Sequence, residues 1–367
     1  MQIEQHSNNL RFGAVGSGWR SECYLKTAAL LADAGFPVTC AGLVSRSAET
    51  RGMLSKKWGI PAFPQAADLL EKAAPDFLFV SVPGHAVYQV LMNLLPLNIP
   101  ILVETPPAGT LNELSALYAK VRETGTDIQV AEQYWLQPMQ QARLNAVHTG
   151  KIGTPQWAHI SVNHSFHNIS LIRKYLGTGF GEVKISAQAF SEKLTEGPGR
   201  EGPPTREHIA DTEHLIGILD FGGKTGLFDF QENQHRSWIR TSRVIVRGEK
   251  GEITDDGISW LKDYSSPAYG RLTRIQTGGD GNFEDNYLRG VMLGEDWLYT
   301  NPTVPARLSD EEISQAECLL RMADYVKTGT EFNPLAEAAQ DHYLALLMRE
   351  AVRSGKPQIS TPQTWAE

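Results

Sequence analysis

The stretch Leu10 to Ser21, LRFGAVGSGWRS, constrains this chain most. Its apolar half, Leu10 to Val15, predicts a short buried strand. The strand runs into a glycine turn that opens a helix. Gly16 and Gly18 are the first two glycines of a G-x-G-x-x-G dinucleotide fingerprint, and Ser21 stands in the third place. Such glycines let the chain turn tightly and bring bare backbone against a diphosphate at a helix N-terminus. A small Ser in the third place still lets helix and strand pack closely. The pattern gains weight from its context, because strand–helix units repeat for about 120 residues, as a doubly wound sheet requires.

Those units can be followed in order. Pro37 to Val44, Asp76 to Val82 (DFLFVSV), Ile101 to Glu104 and Asp127 to Ala131 read as strands. Helical segments separate them at Ala48–Trp58, Ala66–Lys72, His85–Leu95 and Leu111–Glu123, and Ala62-Phe63 is a short extended piece. Near-continuous apolar strands fit a parallel sheet covered on both faces. The pattern then changes. Gln156 to Asn163 reads as a strand and His167 to Leu176 as a helix stopped by Gly177. Long strand-like segments follow at 181–190, 208–221, 225–232 and 241–247, with strand and turn signals continuing to about Tyr299. Ser191 to Thr205 is a charged, Gly/Pro-rich loop, expected to be a mobile flap. Helices over Asp310–Thr328 and 334–355 close the chain. Long strands without crossover helices predict a second, mostly antiparallel sheet. The expected division is 1–134 for a dinucleotide-binding domain and 135–367 for a substrate-binding and oligomerisation domain.

Composition removes several classes of function. A net charge of −8 argues against a nucleic-acid or acidic-membrane partner. No apolar run reaches the ~18 residues that span a bilayer. Met1 to Asn9 is polar and too short for a secretory signal. Cys23, Cys40 and Cys318 are far apart and odd in number, which points to a reduced, cytoplasmic setting. No zinc spacing, H-E-x-x-H or G-x-S-x-G motif occurs, so no metal is expected.

The chain resembles the Gfo/Idh/MocA family, named for glucose–fructose oxidoreductase, inositol dehydrogenase and a rhizopine-catabolism protein. The resemblance rests on the GSG turn, Pro83 after DFLFVSV, and VETPPAG at 103–109. It extends to VAEQYWLQP at 130–138, GKIG at 150–153, HNISLIRKYLG at 167–177, and the closing PLAEAAQDHYLALLMREAVRSG. It implies a Rossmann domain followed by an α/β domain with an open sheet. It also implies hydride chemistry on a sugar, polyol or related hydroxyl or carbonyl compound with a nicotinamide cofactor, and packing of the open sheet face against a second subunit as a dimer or tetramer. Two departures bear on the chemistry. The family's Glu-Lys-Pro is here Glu104-Thr105-Pro106, and Thr cannot carry a positive charge. If His167 matches the family's catalytic His, two positions where the family has Asp are Asn163 and Ser170. A non-catalytic nucleotide-binding sensor, or a redox-neutral lyase or glycosidase with bound cofactor, remain alternative readings.

The expected cofactor site comprises Gly16, Ser17, Gly18, Trp19, Arg20, Ser45, Arg46, Ser47, Val82, Pro83, Glu104 and Thr105. No acid follows the second strand, where NAD-preferring sites place one on the ribose. Ser45-Arg46-Ser47 would suit a 2′-phosphate, so NADP(H) is expected over NAD(H). For the reacting proton, His167 is the first candidate and His164 the second, both at a strand-to-helix junction, with Thr105 in the lysine's place. A helix N-terminus disfavours a charged ring there, so a neutral His167 is expected, with no carboxylate at 163 to fix an imidazolium. Glu132 and Gln133 end another strand. Trp19 and Trp135 could line the nicotinamide pocket but suit packing better. Arg200 and Arg206, flanking the Gly/Pro loop, could clamp an anionic substrate group. His159 reads as a satisfied histidine and His85 as a helix cap.

Overall fold

Short, wholly apolar strands need neighbours on both sides, and the first third of the chain supplies them. In the computed structural model, which describes residues 10–366, β1 (Leu10–Val15), β2 (Val38–Val44), β3 (Ala62–Phe63), β4 (Phe77–Val80), β5 (Ile101–Val103) and β6 (Ile128–Val130) form one parallel sheet. Its order is β3-β2-β1-β4-β5-β6. Strand order reverses beside β1, the place where open α/β sheets bind ligands. All four residues of β4 and all three of β5 and β6 are buried. Helices α1 (Trp19–Asp33), α2 (Ala48–Trp58), α3 (Ala66–Ala73), α4 (Gly84–Leu94) and α5 (Leu111–Thr124) cover the sheet. Helix α5 shows how local sequence sets its bounds. Thr110 and Glu113 form a reciprocal capping box at its start, and Gly125 ends it in the left-handed region. Met1–Asn9, the stretch read above as too short for a secretory signal, lies outside the described residues.

The second sheet is larger and mostly antiparallel. Its strands are β7 (Pro155–Ser161), β8 (Lys184–Thr195), β9 (Ile209–Asp220), β10 (Thr225–Gln231), β11 (Arg243–Gly248), β12 (Gly251–Thr254), β13 (Gly257–Leu261), β14 (Pro267–Gln276), β15 (Leu288–Leu293), β16 (Asp296–Thr300) and β17 (Gln358–Ile359). They run in the order β16-β15-β14-β13-β12-β11-β7-β10-β9-β8-β17, with only β7 and β10 parallel. Helices α6 (Pro138–His148), α7 (Phe166–Leu176), α8 (Asp310–Thr328) and α9 (Leu335–Ser354) complete the chain. Ala158 and Ile160 of β7 and Phe228 of β10 point into a core shared with Ile169, Ile172 and Leu344 of α7 and α9. The alternate residues form an open face. There His159, Asp229, His214 and Glu192 are hydrogen-bonded in series across four strands, beside exposed Ile218 and Phe190.

One expectation is corrected. The sequence reading ends a strand at Phe190 and starts the flap at Ser191, whereas β8 continues to Thr195, opposite Ile209. Charged residues hid the alternation. Leu194 is buried, Lys193 pairs with its cross-strand partner Asp211 at 2.7 Å, and Glu192 takes a hydrogen bond from His214. The connecting loop is therefore Glu196–His208.

Two ties join the sheets' domains. Helix α8 packs on α1, burying Cys318, Leu319 and Met322 with Tyr24 and Phe12. Gln129 of β6, fully buried, accepts hydrogen bonds from the Phe332 and Asn333 amides at 3.1 and 2.9 Å, just before α9.

Candidate active site

The glycine turn is built for close approach of backbone. Gly16 has φ +120°, and a Cβ there would lie 1.9 Å from the Ser81 carbonyl oxygen. Only glycine fits. Gly18 is different. It caps α1 with φ −83°, and a Cβ on it would meet nothing within 4 Å. Its value is the open, side-chain-free mouth that it leaves at the helix start, where no side chain caps the amides. Ser21 does more than stand in for glycine. It is buried and donates to the Ser81 carbonyl at 3.2 Å, fastening α1 to the end of β4. Val82 and Pro83 continue from that strand end, and Pro83 caps α4.

At the end of β2 the Ser17 and Ser45 hydroxyls lie 3.0 Å apart. Ser47 caps α2 by accepting from the Thr50 amide at 3.2 Å. Arg46 is exposed. Arg51, not singled out from the sequence, lies one turn into α2 and donates to the carbonyls of Ser45 and Arg46 at 2.8 and 2.9 Å. Two guanidinium groups and no carboxylate of residues 45–47 therefore stand at this corner. These groups fit a dinucleotide: an open glycine cradle at a helix N-terminus, and hydroxyls and cations at the strand end.

The strand ends of β5 and β6 carry the acids. Glu104 accepts from the Thr105 amide at 3.1 Å and has Arg20 at 3.6 Å. Burial pushes the Glu104 carboxyl up, against the pull of Arg20. Arg20 also pairs with Glu311 of α8 at 2.7 Å. Glu132 is almost wholly buried. One of its oxygens accepts from the Tyr134 amide at 3.1 Å, and the other lies 2.6 Å from Nδ1 of His167. Asn163 cannot supply a carboxylate to this ring. The structure brings one from the other domain, the acid that follows β6.

His167 sits at the start of α7, with the Phe166, Tyr134 and His164 rings 4.4, 4.5 and 5.0 Å away. His164 faces His235 at 6.5 Å. Desolvation inside the cleft, joined by the positive fields of His167, His235 and Arg236, pushes His164 down to about 3. Desolvation and Arg236 likewise push His235 down to about 4. Thr105 lines a small cavity with Glu132, Phe166, Asp341 and His342, enclosing about 10 Å³. That is room for one water.

The junction that holds both histidines depends on Asn168, fully buried. Its side-chain oxygen accepts from the amides of Val162 and Asn163 at 3.3 and 2.7 Å, and its amide group donates to the Ile160 carbonyl at 3.2 Å. Asn163 in turn accepts from the His164 amide at 2.7 Å. Ser165, between the histidines, has φ +51°, a conformation that costs a non-glycine residue energy. Asn168 is the residue that sequence reasoning missed here. An Asn in the first turn of a helix, a few residues past a strand end, is the signal that could have flagged it.

Trp135 is packed rather than presented to the cleft: Lys174 and Arg321 lie over its ring at 4.4 and 5.4 Å. His159 is bonded to Asp229 at 3.1 Å on the open sheet face, far in the fold from the glycine turn. His85 stands exposed in the first turn of α4. Ser170 is buried on α7.

Residues 10–132 match the family described as an oxidoreductase family with an NAD-binding Rossmann fold. Over that stretch, the parallel-sheet part of the molecule, the chain is similar to the Gfo/Idh/MocA family. Beyond it, the whole chain shares a fold with solved structures. An oxidoreductase domain protein from Kribbella flavida is 16% identical with TM-score 0.70, the match covering 96% of this chain and 99% of that one. An oxidoreductase from Agrobacterium radiobacter, in complex with NAD+, L-tartaric acid and magnesium, is 14% identical with TM-score 0.66, covering 96% and 98%. A levoglucosan dehydrogenase in complex with NADH and levoglucosan is 14% identical with TM-score 0.67, covering 96% and 99%. No curated protein matches the sequence. No helix among the described residues is long and apolar enough to cross a membrane.

Proposed function

We propose that this chain is an NADP(H)-preferring oxidoreductase of a small polyhydroxylated compound, with His167 handling the hydroxyl proton. The observation that carries the reading is the 2.6 Å contact between His167 Nδ1 and Glu132, set beside a dinucleotide-binding turn. Gly16, Ser17, Gly18, Trp19 and Arg20 would hold the diphosphate end of the cofactor. Ser45, Arg46, Ser47 and Arg51 would hold the ribose phosphate, with Val82, Pro83, Glu104 and Thr105 towards the nicotinamide. A bound nicotinamide supplies the hydride acceptor, or the donor in the reverse direction.

The protein's own part is proton handling and orientation. Glu132 accepts the Nδ1 proton of His167, which fixes the ring and leaves Nε2 as the acceptor. In oxidation of an alcohol, the carbon loses hydride and the hydroxyl loses its proton to Nε2, leaving a carbonyl. The reverse returns both. Glu132 thus does for His167 what an Asp at 163 or 170 would do elsewhere in the family. His164, held uncharged at neutral pH, offers a hydrogen-bonding ring to a substrate hydroxyl. Thr105 can hydrogen-bond the reacting oxygen, without the charge that a lysine brings. Polyhydroxylated substrates suit a cleft of histidines, Thr105 and Gln133, and the levoglucosan and L-tartaric acid bound by the two structural neighbours are of that class.

The open sheet face, with Ile218 and Phe190 exposed, suits pairing of two subunits, and the three free cysteines suit a reducing cytoplasm. Light scattering at micromolar concentration should give a dimer or tetramer. The cofactor reading is tested by dissociation constants: NADP(H) should bind more tightly than NAD(H), and Arg46→Ala should erase most of the difference. Tighter NAD(H) binding, or no effect of Arg46→Ala, would reject the preference.

A further inference from the structure

The loop Glu196–His208 reaches the glycine turn from the second domain. At its base the Glu196 amide donates to the His208 carbonyl at 2.9 Å, and the His208 ring meets the Glu196 carboxylate at 3.0 Å. At its tip Gly199 and Gly202 exchange both backbone hydrogen bonds, at 2.9 and 3.2 Å. The stem rests on the connection between β10 and β11: a Cβ on Gly197 would lie 2.8 Å from the Arg236 carbonyl oxygen. The loop is thus a hairpin bonded to itself at base and tip. It carries Arg200 at its tip.

Arg200 lies over the indole of Trp19, 5.0 Å from the ring centroid. Trp19 is the first residue of α1, next to Gly18. Arg20 lies over the same ring at 4.8 Å, but the two cations are in different states. Arg20 is committed to Glu311 and Glu104. Arg200 has no carboxylate within ion-pair distance among the described residues. A planar guanidinium that stacks on an aromatic face while its donor edge stays unpaired is free to take an anion in bidentate fashion. The place needs one. Arg20 is spent on Glu104 and Glu311, and the helix N-terminus alone offers only about half a positive charge.

We propose that Glu196–His208 is a lid over the dinucleotide site and that Arg200 binds the cofactor's diphosphate, with Trp19 as its platform. The proposal rests on the dinucleotide reading of the β1–α1 turn. It assigns to the second domain a direct share in cofactor binding, and it makes cofactor binding and domain contact one event. Trp19 gains a role in holding the arginine rather than lining the nicotinamide pocket.

The test is calorimetric titration of the full chain with NAD+, NADP+ and ADP-ribose, for wild type, Arg200→Ala and Arg200→Lys. ADP-ribose keeps the diphosphate and lacks the nicotinamide. Wild-type binding of ADP-ribose tests the underlying site, and its absence rejects both readings. Given wild-type binding, Arg200→Ala should weaken all three ligands by roughly ten- to a hundredfold, the range for a hydrogen bond to a charged group. Arg200→Lys should recover part of that loss. Saturating NAD+ should also slow tryptic cleavage after Arg206 in the lid of the wild type, and not in Arg200→Ala. Unchanged affinities in Arg200→Ala, or a loss confined to NADP+, would overturn the proposal.

Discussion

Two strand-to-helix junctions face the cleft, and they are built in opposite ways. The β1–α1 turn is made of backbone. Gly16 takes a φ of +120°, Gly18 leaves open space, and no side chain caps the helix. The β7–α7 junction is made of side chains. Asn168 stitches it to the strand, Asn163 caps the His164 amide, and Ser165 is held at φ +51°. The first is left unsatisfied for a ligand to complete. The second is satisfied internally, so that two histidines stand at fixed angles. A cofactor shared by many enzymes can be met by bare amides, whereas a reacting proton needs one ring in one orientation.

That contrast can be broken at each end. The largest effect is expected at Gly16. Gly16→Val places carbon inside the contact distance of the Ser81 carbonyl at a φ that valine rarely adopts. It should destabilise the fold by more than ~3 kcal/mol and abolish dinucleotide binding, read by thermal unfolding and by titration. Next comes Asn168→Ala, which strands the buried Val162 and Asn163 amides. A loss of ~2–4 kcal/mol is expected in denaturant unfolding.

Glu132→Gln sharpens the comparison further, because it keeps the shape and removes the charge. Turnover should fall by about a hundredfold and the pH–rate profile should shift, while cofactor affinity stays near wild type. A merely structural role for Glu132 would leave the pH profile in place.

The smallest effect is on acid stability. His164 and His235 are pushed down in the fold, to about 3 and about 4, from an ordinary value of 6.5. Below pH 6.5 the unfolded chain therefore takes up protons that the folded chain refuses. Their contribution to stability is complete above pH 6.5 and is lost as pH falls towards 3. His164→Asn should flatten the stability–pH curve in that window, as urea unfolding at several pH values would show.

The same contrast explains what was legible in the sequence. Glycine spacing encodes backbone geometry directly, so the first junction, the parallel sheet and its strand ends could be read from residues alone. Helix α8 likewise carries its own local start signal, the capping box of Ser309 with Glu312. The side-chain junction could be placed but not wired. Nothing local to HSFHNIS says that Glu132, 35 positions away, will meet His167. The contact exists because β6 and α7 are brought together across two domains. Arg51 escaped notice for a related reason: one helical turn returns it to the end of β2. The flap was misjudged at its stem because cross-strand ion pairs make a strand look like a charged loop.

Proton handling at the second junction, for hydride chemistry at the first, is the assignment on which the proposed function stands. It is tested most directly by the initial rate of nicotinamide absorbance change over a panel of polyols and keto-sugars, in wild type and His167→Asn at matched cofactor occupancy. The wild type should turn over at least one panel member. His167→Asn should lower that turnover by about 10²- to 10⁴-fold, with cofactor affinity unchanged. Near wild-type turnover and an unchanged pH profile in His167→Asn would contradict it, as would a wild type that binds cofactor and turns over nothing in the panel.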